Sequence, residues 1–118
     1  MNKNLIIILD TETTGLSPTF GCEVTEIGAL KVDKDTLEIV DEFQCLIKIQ
    51  GSVSEFIENL TGINDYLLQT EGIDPLKAYQ SLSDFCSDLE IYAHNAPFDK
   101  RFIRFFLERY SINYKPTE

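Results

Sequence analysis

The sequence predicts an α/β fold, helices packed on a mixed β-sheet, and three observations predict it. A short β-branched run opens the chain, two strand-like stretches joined by a turn follow, and two amphipathic helical patterns come last with a short strand between them. Leu5-Ile6-Ile7-Ile8-Leu9 is continuous and apolar, the pattern of a strand buried on both faces. Gly15, Pro18 and Gly21 then punctuate a loop. Residues 23–32 and 36–49 read as strands, joined at Asp33-Lys34-Asp35 by a turn-rich hairpin connection. Residues 54–60 read as a short helix closed by Thr61-Gly62. Asp74-Pro75 is a helix start, with Asp as the cap and Pro in the first turn. Leu76, Tyr79, Leu82, Phe85, Cys86 and Leu89 continue it as one apolar stripe. Ile91-Tyr92-Ala93 is a short strand, and Pro97 opens a last helix with Phe98, Phe102, Phe105 and Phe106 on its buried side. The expected order is β-β-β-α-β-α.

The chain has 118 residues, a length for one domain with a single core, spanning residues 1–118. Apolar residues make up 43%, too many for a disordered chain. The longest apolar run is the five residues 5–9, too short for a membrane span or a signal-peptide core, so no membrane partner is expected. Cys22, Cys45 and Cys86 are odd in number and widely spaced, which reads as reduced core thiols of a cytoplasmic protein. Ten basic residues stand against 20 acidic ones, a net charge of −10 that excludes a general nucleic-acid coat protein. It does not exclude an enzyme that holds phosphates through divalent ions, since carboxylates build such a site. The charge is also uneven. Residues 1–96 hold 5 basic and 17 acidic groups, whereas residues 97–118 hold 5 basic and 3 acidic groups and all three arginines. That last stretch is either the solvated face of one helix or a phosphate-facing patch.

Two constellations carry chemistry. The first strand ends in Asp10-Thr11-Glu12, and because a strand alternates faces with period two, both carboxylates leave it on one side. Such a pair is a half-site for Mg²⁺ or Mn²⁺, which prefer oxygen ligands, although the pattern alone is common. Thr13-Thr14-Gly15-Leu16 follows, with a glycine that admits close backbone approach and an apolar group beside it. The second constellation is His94-Asn95-Ala96-Pro97-Phe98-Asp99, after a short strand and at a helix start. Asp99 lies in the first helical turn, where the dipole favours a carboxylate. If that strand lies beside and parallel to the first, Asp99 reaches the same end as Asp10 and Glu12. Otherwise it is a first-turn acid, and His94 a strand-end histidine satisfied by its neighbours.

Asp10-Thr-Glu-Thr-Thr-Gly-Leu16 and His94-Asn-Ala-Pro-Phe-Asp99 resemble the first two motifs of the DnaQ-like 3′→5′ exonucleases of the DEDD superfamily. Leu60-Thr-Gly-Ile63 resembles a family segment between them. The resemblance covers all of this chain and part of the family domain. It implies a ribonuclease-H-like mixed β-sheet flanked by helices, and hydrolysis of phosphodiester bonds at the 3′ end of single-stranded DNA, with RNA as the alternative. It implies that Asp10, Glu12 and Asp99 act as catalytic residues and metal ligands for two ions, Mg²⁺ or Mn²⁺. It further implies that Thr14, Gly15 and Leu16 contact the terminal nucleotide and that Thr61 and Phe98 line its pocket. Lys100 and Arg101, just beyond Asp99, are placed to meet backbone phosphates. The threonine-rich first motif leans toward the proofreading subunits of bacterial DNA polymerase III, which makes a polymerase subunit an expected partner.

The chain departs from the family at the third motif, H-x₄-D, which supplies a general-base His and a fourth carboxylate. The single His belongs to the second motif, and no Asp follows Asp99. Tyr114-Lys-Pro-Thr-Glu118 has the spacing of the Tyr variant but ends in Glu and lies too close to the second motif. The expectation is therefore a domain lacking its C-terminal strand and helices, weakly active or inactive by itself. Its strand at residues 91–93 is then an edge open to pairing with a second copy, a homodimer. The alternative function is a non-catalytic nucleic-acid or protein-binding module derived from the same fold.

Overall fold

The computed structural model describes residues 4–15, 21–93 and 96–109, with the side chains of residues 96–100, 107 and 109 outside that description. Four strands, β1 (Leu5–Thr13), β2 (Val24–Asp33), β3 (Ile39–Leu46) and β4 (Glu90–Ala93), form one mixed sheet in the order β3-β2-β1-β4. β1–β2 and β2–β3 are antiparallel, and β1–β4 is parallel with Leu9 beside Ala93. Among the described residues β4 is an edge, paired with β1 alone.

Four helices, α1 (Glu55–Thr61), α2 (Asp65–Glu71), α3 (Pro75–Cys86) and α4 (Ala96–Arg109), complete the order β-β-β-α-α-α-β-α. α1 matches the expected short helix: the Ser54 hydroxyl accepts the Ile57 N–H, and Gly62, at φ 77°, closes the end by donating to the Glu58 carbonyl. The expected order had one helix between the third and fourth strands where three occur, and α2 is the one that no stretch of the sequence reading named. It is seven residues long with only Leu68 buried, too short to show a helical period, and Asn64 caps it by accepting from Leu67 N–H at 2.8 Å. β3 is shorter than the stretch 36–49 because a tight turn at residues 33–38 and a loop beyond Ile47 take its ends.

The core lies on one face of the sheet. Ile7, Leu9, Ile27, Ala29 and Ile91 meet Ala78, Tyr79, Leu82 and Cys86 of α3 and Phe102, Ile103 and Phe106 of α4. The Tyr79 and Phe106 rings stack with centroids 5.5 Å apart. This corrects two expectations. β1 is not buried on both faces: Ile7 is fully buried, whereas Ile8 is 38% exposed, since no described helix covers the second face. Leu76 is 45% exposed and off the stripe of α3, whose buried side is centred on Ala78, Tyr79 and Leu82 and so leaves Leu76 on its flank. Leu89 lies beyond the last turn of α3 but still packs on the core. No helix among the described residues is long and apolar enough to cross a membrane.

Candidate active site

The alternation of β1 puts Thr11 and Thr13 on its buried side and Asp10 and Glu12 on the other, Asp10 exposed and Glu12 half-buried. The two carboxylates thus stand on one face at the C-terminal end of the strand. Opposite them the register slips between Glu12 and Thr13: Glu12 faces Glu26, Thr13 faces Val24, and Thr25 has no β1 partner. A bulge here raises the local twist and re-aims the end of the strand. Asp10 also lines a groove of about 450 Å³ over the uncovered face, together with Ile8, Gly28, Leu30, Glu42 and Gln44.

β4 runs parallel to β1, the topology on which the place of Asp99 depends. Its last residue, Ala93, sits beside Leu9, one residue short of Asp10, and α4 starts three residues later. The first turn of α4, which contains residue 99, therefore begins at the end of the sheet where Asp10 and Glu12 stand. Residue 99 is also in helical register with the buried Phe102, Ile103 and Phe106, three, four and seven positions on. The side chains of Phe98, Asp99 and Lys100, and residues Leu16 and His94, lie outside the described residues. Arg101 and Arg104 are exposed on α4.

The segment after Glu12 is held by a compact set of hydrogen bonds. The Thr13 hydroxyl donates to the Gly15 carbonyl at 2.7 Å. Thr14 N–H donates to the Glu23 carbonyl at 2.8 Å, and Glu23 N–H donates back to the Thr14 hydroxyl at 2.9 Å. A Cβ at Gly15 would lie 2.5 Å from the Cys22 sulfur, so a larger residue there would make the Cys22 side chain move. Thr61 ends α1, its hydroxyl donating to the Ile57 carbonyl at 2.8 Å and accepting Ile63 N–H at 3.2 Å. The three cysteines are free thiols, and burial, helped by the charge of Glu26, pushes Cys45 up to about 11. Cys45 is therefore a protonated packing residue near neutral pH.

Among the described residues no group of three or more His, Cys, Asp or Glu side chains is close enough to hold a metal ion. Asp10 and Glu12 nonetheless fit a hard divalent cation: both are carboxylates, they share one face, and they sit at the end of a strand anchored by Leu9 and Thr11. The sequence had not singled out Glu23 and Glu26. Glu26 faces Glu12 across the strands and accepts from the Gln44 amide.

Residues 7–118 match the family model of the RNase T exonucleases. The chain is 38% identical over 106 residues to a PolC-type DNA polymerase III of Thermotoga petrophila, covering 87% of this chain and 7% of that protein. It is 31% identical over 110 residues to the 3′-5′ exonuclease DinG of Bacillus subtilis, covering 92% of this chain and 11% of that protein. This chain thus spans about a tenth or less of the length of these relatives. The structure of E. coli exonuclease I with a dT13 oligonucleotide superposes with a TM-score of 0.82 at 16% identity, over 97% of this chain and 27% of that one. The expected ribonuclease-H-like mixed sheet flanked by helices is the fold observed, as part of a larger domain.

Proposed function

The chain belongs to the RNase T exonuclease family, and from that premise we propose that it is a metal-dependent 3′→5′ exonuclease domain acting on the 3′ end of single-stranded DNA. One observation carries the reading. Asp10 and Glu12 share a face at the end of β1, and the parallel β4 delivers the first turn of α4, with Asp99, to the same end of the sheet. On this reading Asp10, Glu12 and Asp99 hold two divalent ions, Mg²⁺ or Mn²⁺. Bound there, the ions stabilise the charge that develops on the phosphate oxygens and lower the pKa of the attacking water. The protein's own residues position the strand. Thr14 and Gly15, fixed by the bonds to Glu23 and Cys22's close approach, present backbone to the terminal nucleotide. Leu16 and Phe98 give sequence-tolerant apolar contact with bases, and Thr61 lines the same pocket. Arg101, with Lys100, meets the phosphates behind them.

DNA is the substrate favoured by the relatives, one a DNA polymerase III and one, by fold, an exonuclease crystallised with dT13. RNA is the competing substrate, since neither motif reads a 2′-hydroxyl. A DNA polymerase is the proposed partner, the cytoplasm the proposed location, and the free edge of β4 the surface on which a second copy would pair. Residues 1–118 hold one His and no Asp after Asp99, so this stretch supplies three of the four family carboxylates and not the general base. Loss of a general base costs about 10²–10⁴ in rate, which makes the stretch weakly active or inactive alone.

Calorimetric titration with Mn²⁺ tests the site. Two binding events, at least one of them lost in Asp99→Ala, are expected. No binding in the millimolar range for the unsubstituted chain would refute a metal site assembled by these three residues. Release of mononucleotides from a 3′-labelled single strand tests the chemistry in parallel: slow release abolished by Asp10→Ala is expected. Strand binding with no release under any metal would instead favour the non-catalytic binding module that the missing base leaves open.

A further inference from the structure

Glu23 is at the start of β2, and every hydrogen-bonding group it owns is engaged. Its backbone N–H and carbonyl close a two-way bridge to Thr14, at 2.9 and 2.8 Å. Its side chain reaches the other way: Oε1 accepts Gln50 N–H at 3.0 Å and Oε2 accepts Gly51 N–H at 2.9 Å. Hydrogen bonds to an ionised carboxylate are stronger than those between neutral groups, and two parallel ones fix direction as well as distance. The loop so held is gripped from its far side by Asp65 of α2, which accepts from the Ser52 hydroxyl and from Val53 N–H at 2.8 Å. Four consecutive residues, 50–53, are thus tied to two carboxylates. From there Ser54 caps α1, which ends at Thr61.

One residue therefore joins the two segments, its backbone holding the one that carries Thr14 and Gly15 and its carboxylate holding the loop that leads through α1 to Thr61. We infer that Glu23 is a positioning residue, whose carboxylate sets the spacing of the two walls of the pocket for the 3′-terminal nucleotide. The inference rests on the proposed role of Thr14, Gly15 and Thr61 as those walls. Glu23 touches no substrate itself. Its effect passes through the backbone of residues 14, 50 and 51.

Binding of a fluorescent oligothymidylate with a free 3′-hydroxyl, read by anisotropy on the 118-residue chain, tests the inference. Glu23→Ala is expected to weaken binding by about five- to tenfold, the scale of one ordinary hydrogen bond, because the carboxylate acts on the pocket only through the backbone. Glu23→Gln, which keeps one acceptor, is expected to recover part of that loss. Hydrogen exchange is expected to quicken at Gln50 and Gly51 in both variants and to stay slow at Thr14, whose partner is the Glu23 backbone carbonyl. Thr14→Ala serves as the control for the pocket. If Thr14→Ala weakens binding while Glu23→Ala binds like the unsubstituted chain, the inference is wrong and the pocket stands. If neither weakens binding, or the unsubstituted chain does not bind, the pocket is misplaced and the inference falls with it. Should Glu23→Ala fail to fold, Glu23→Gln decides: weaker binding at an unchanged melting temperature supports positioning, and unchanged binding overturns it.

Discussion

Asp65 shows how a single half-buried side chain acquires a pH-dependent role. The Ser52 hydroxyl first, and the Val53 N–H second, stabilise its charged form and hold its pKa below the ordinary 3.8. A carboxylate with a lowered folded-state pKa adds stability above its unfolded pKa, and that stability is lost as pH falls through the folded value. The melting temperature of Asp65→Asn is therefore expected to lie below that of the unsubstituted chain at pH 7, with the gap closing below pH 3.8. A gap that stays constant down to pH 2 would show that the carboxylate's charge is irrelevant to the loop. Asp10 and Glu12 were readable from the chain because period-two alternation is local. Glu23 was not, since its carboxylate partners lie 27 and 28 residues away and nothing in residues 21–25 announces them. The glycine of the first motif was read as room for a ligand. The structure adds a second reason, the Cys22 sulfur packed where a Cβ would be.

Helix α3 places Ala78, Tyr79, Leu82 and Cys86 in the core and offers a clean contrast within one element. Leu82 is 2% exposed among Ile7, Tyr79 and Phe102, whereas Leu76, six residues earlier, is 45% exposed. Leu82→Ala is expected to cost about 2–5 kcal/mol in urea unfolding through lost burial and an unfilled cavity. Leu76→Ala is expected to stay within about 0.5 kcal/mol, as surface substitutions do. Equal losses would mean that the stripe runs through Leu76, as the bare spacing of apolar residues had indicated. The start of α3 was plain in the sequence because Asp74 and Pro75 are local signals, and the Asp74 carboxylate does accept Lys77 N–H. The membership of its stripe was not, because it depends on how far the helix extends past the sheet. α2 was missed for a related reason: seven residues with one buried leucine carry too little periodicity to register.

A net charge of −10 acts on the molecule as a body. Its principal extents are 41 × 28 × 25 Å, and the Lys34 ammonium lies 3.9 Å from the Glu90 carboxylate. At about 0.01 M ionic strength the screening length is roughly 30 Å, so acidic groups repel across the whole chain. At about 0.15 M it is roughly 8 Å and only neighbours interact. The melting temperature is therefore expected to rise between those two salt concentrations, and to rise further with millimolar Mn²⁺ if Asp10 and Glu12 take a cation. A melting temperature that falls with monovalent salt would show that favourable local pairs outweigh the long-range repulsion.

Local signals in the chain were enough to give the clearest element types, the α/β class, and the pairing of Asp10 with Glu12 on one side of a strand. Each rests on spacing or capping within a few residues, which any fold must respect. That β4 lies parallel to β1 and brings the first turn of α4 to those carboxylates emerged from the three-dimensional structure, because strand order depends on contacts more than 80 residues apart in the chain. It alone decided that the described helices pack on one face of the sheet, which leaves Ile8 exposed among the described residues despite its place in an unbroken apolar run. It alone made Glu23 the link between two distant loops, since a hydrogen bond between residues 23 and 50 exists only after the sheet and the helices have brought them together.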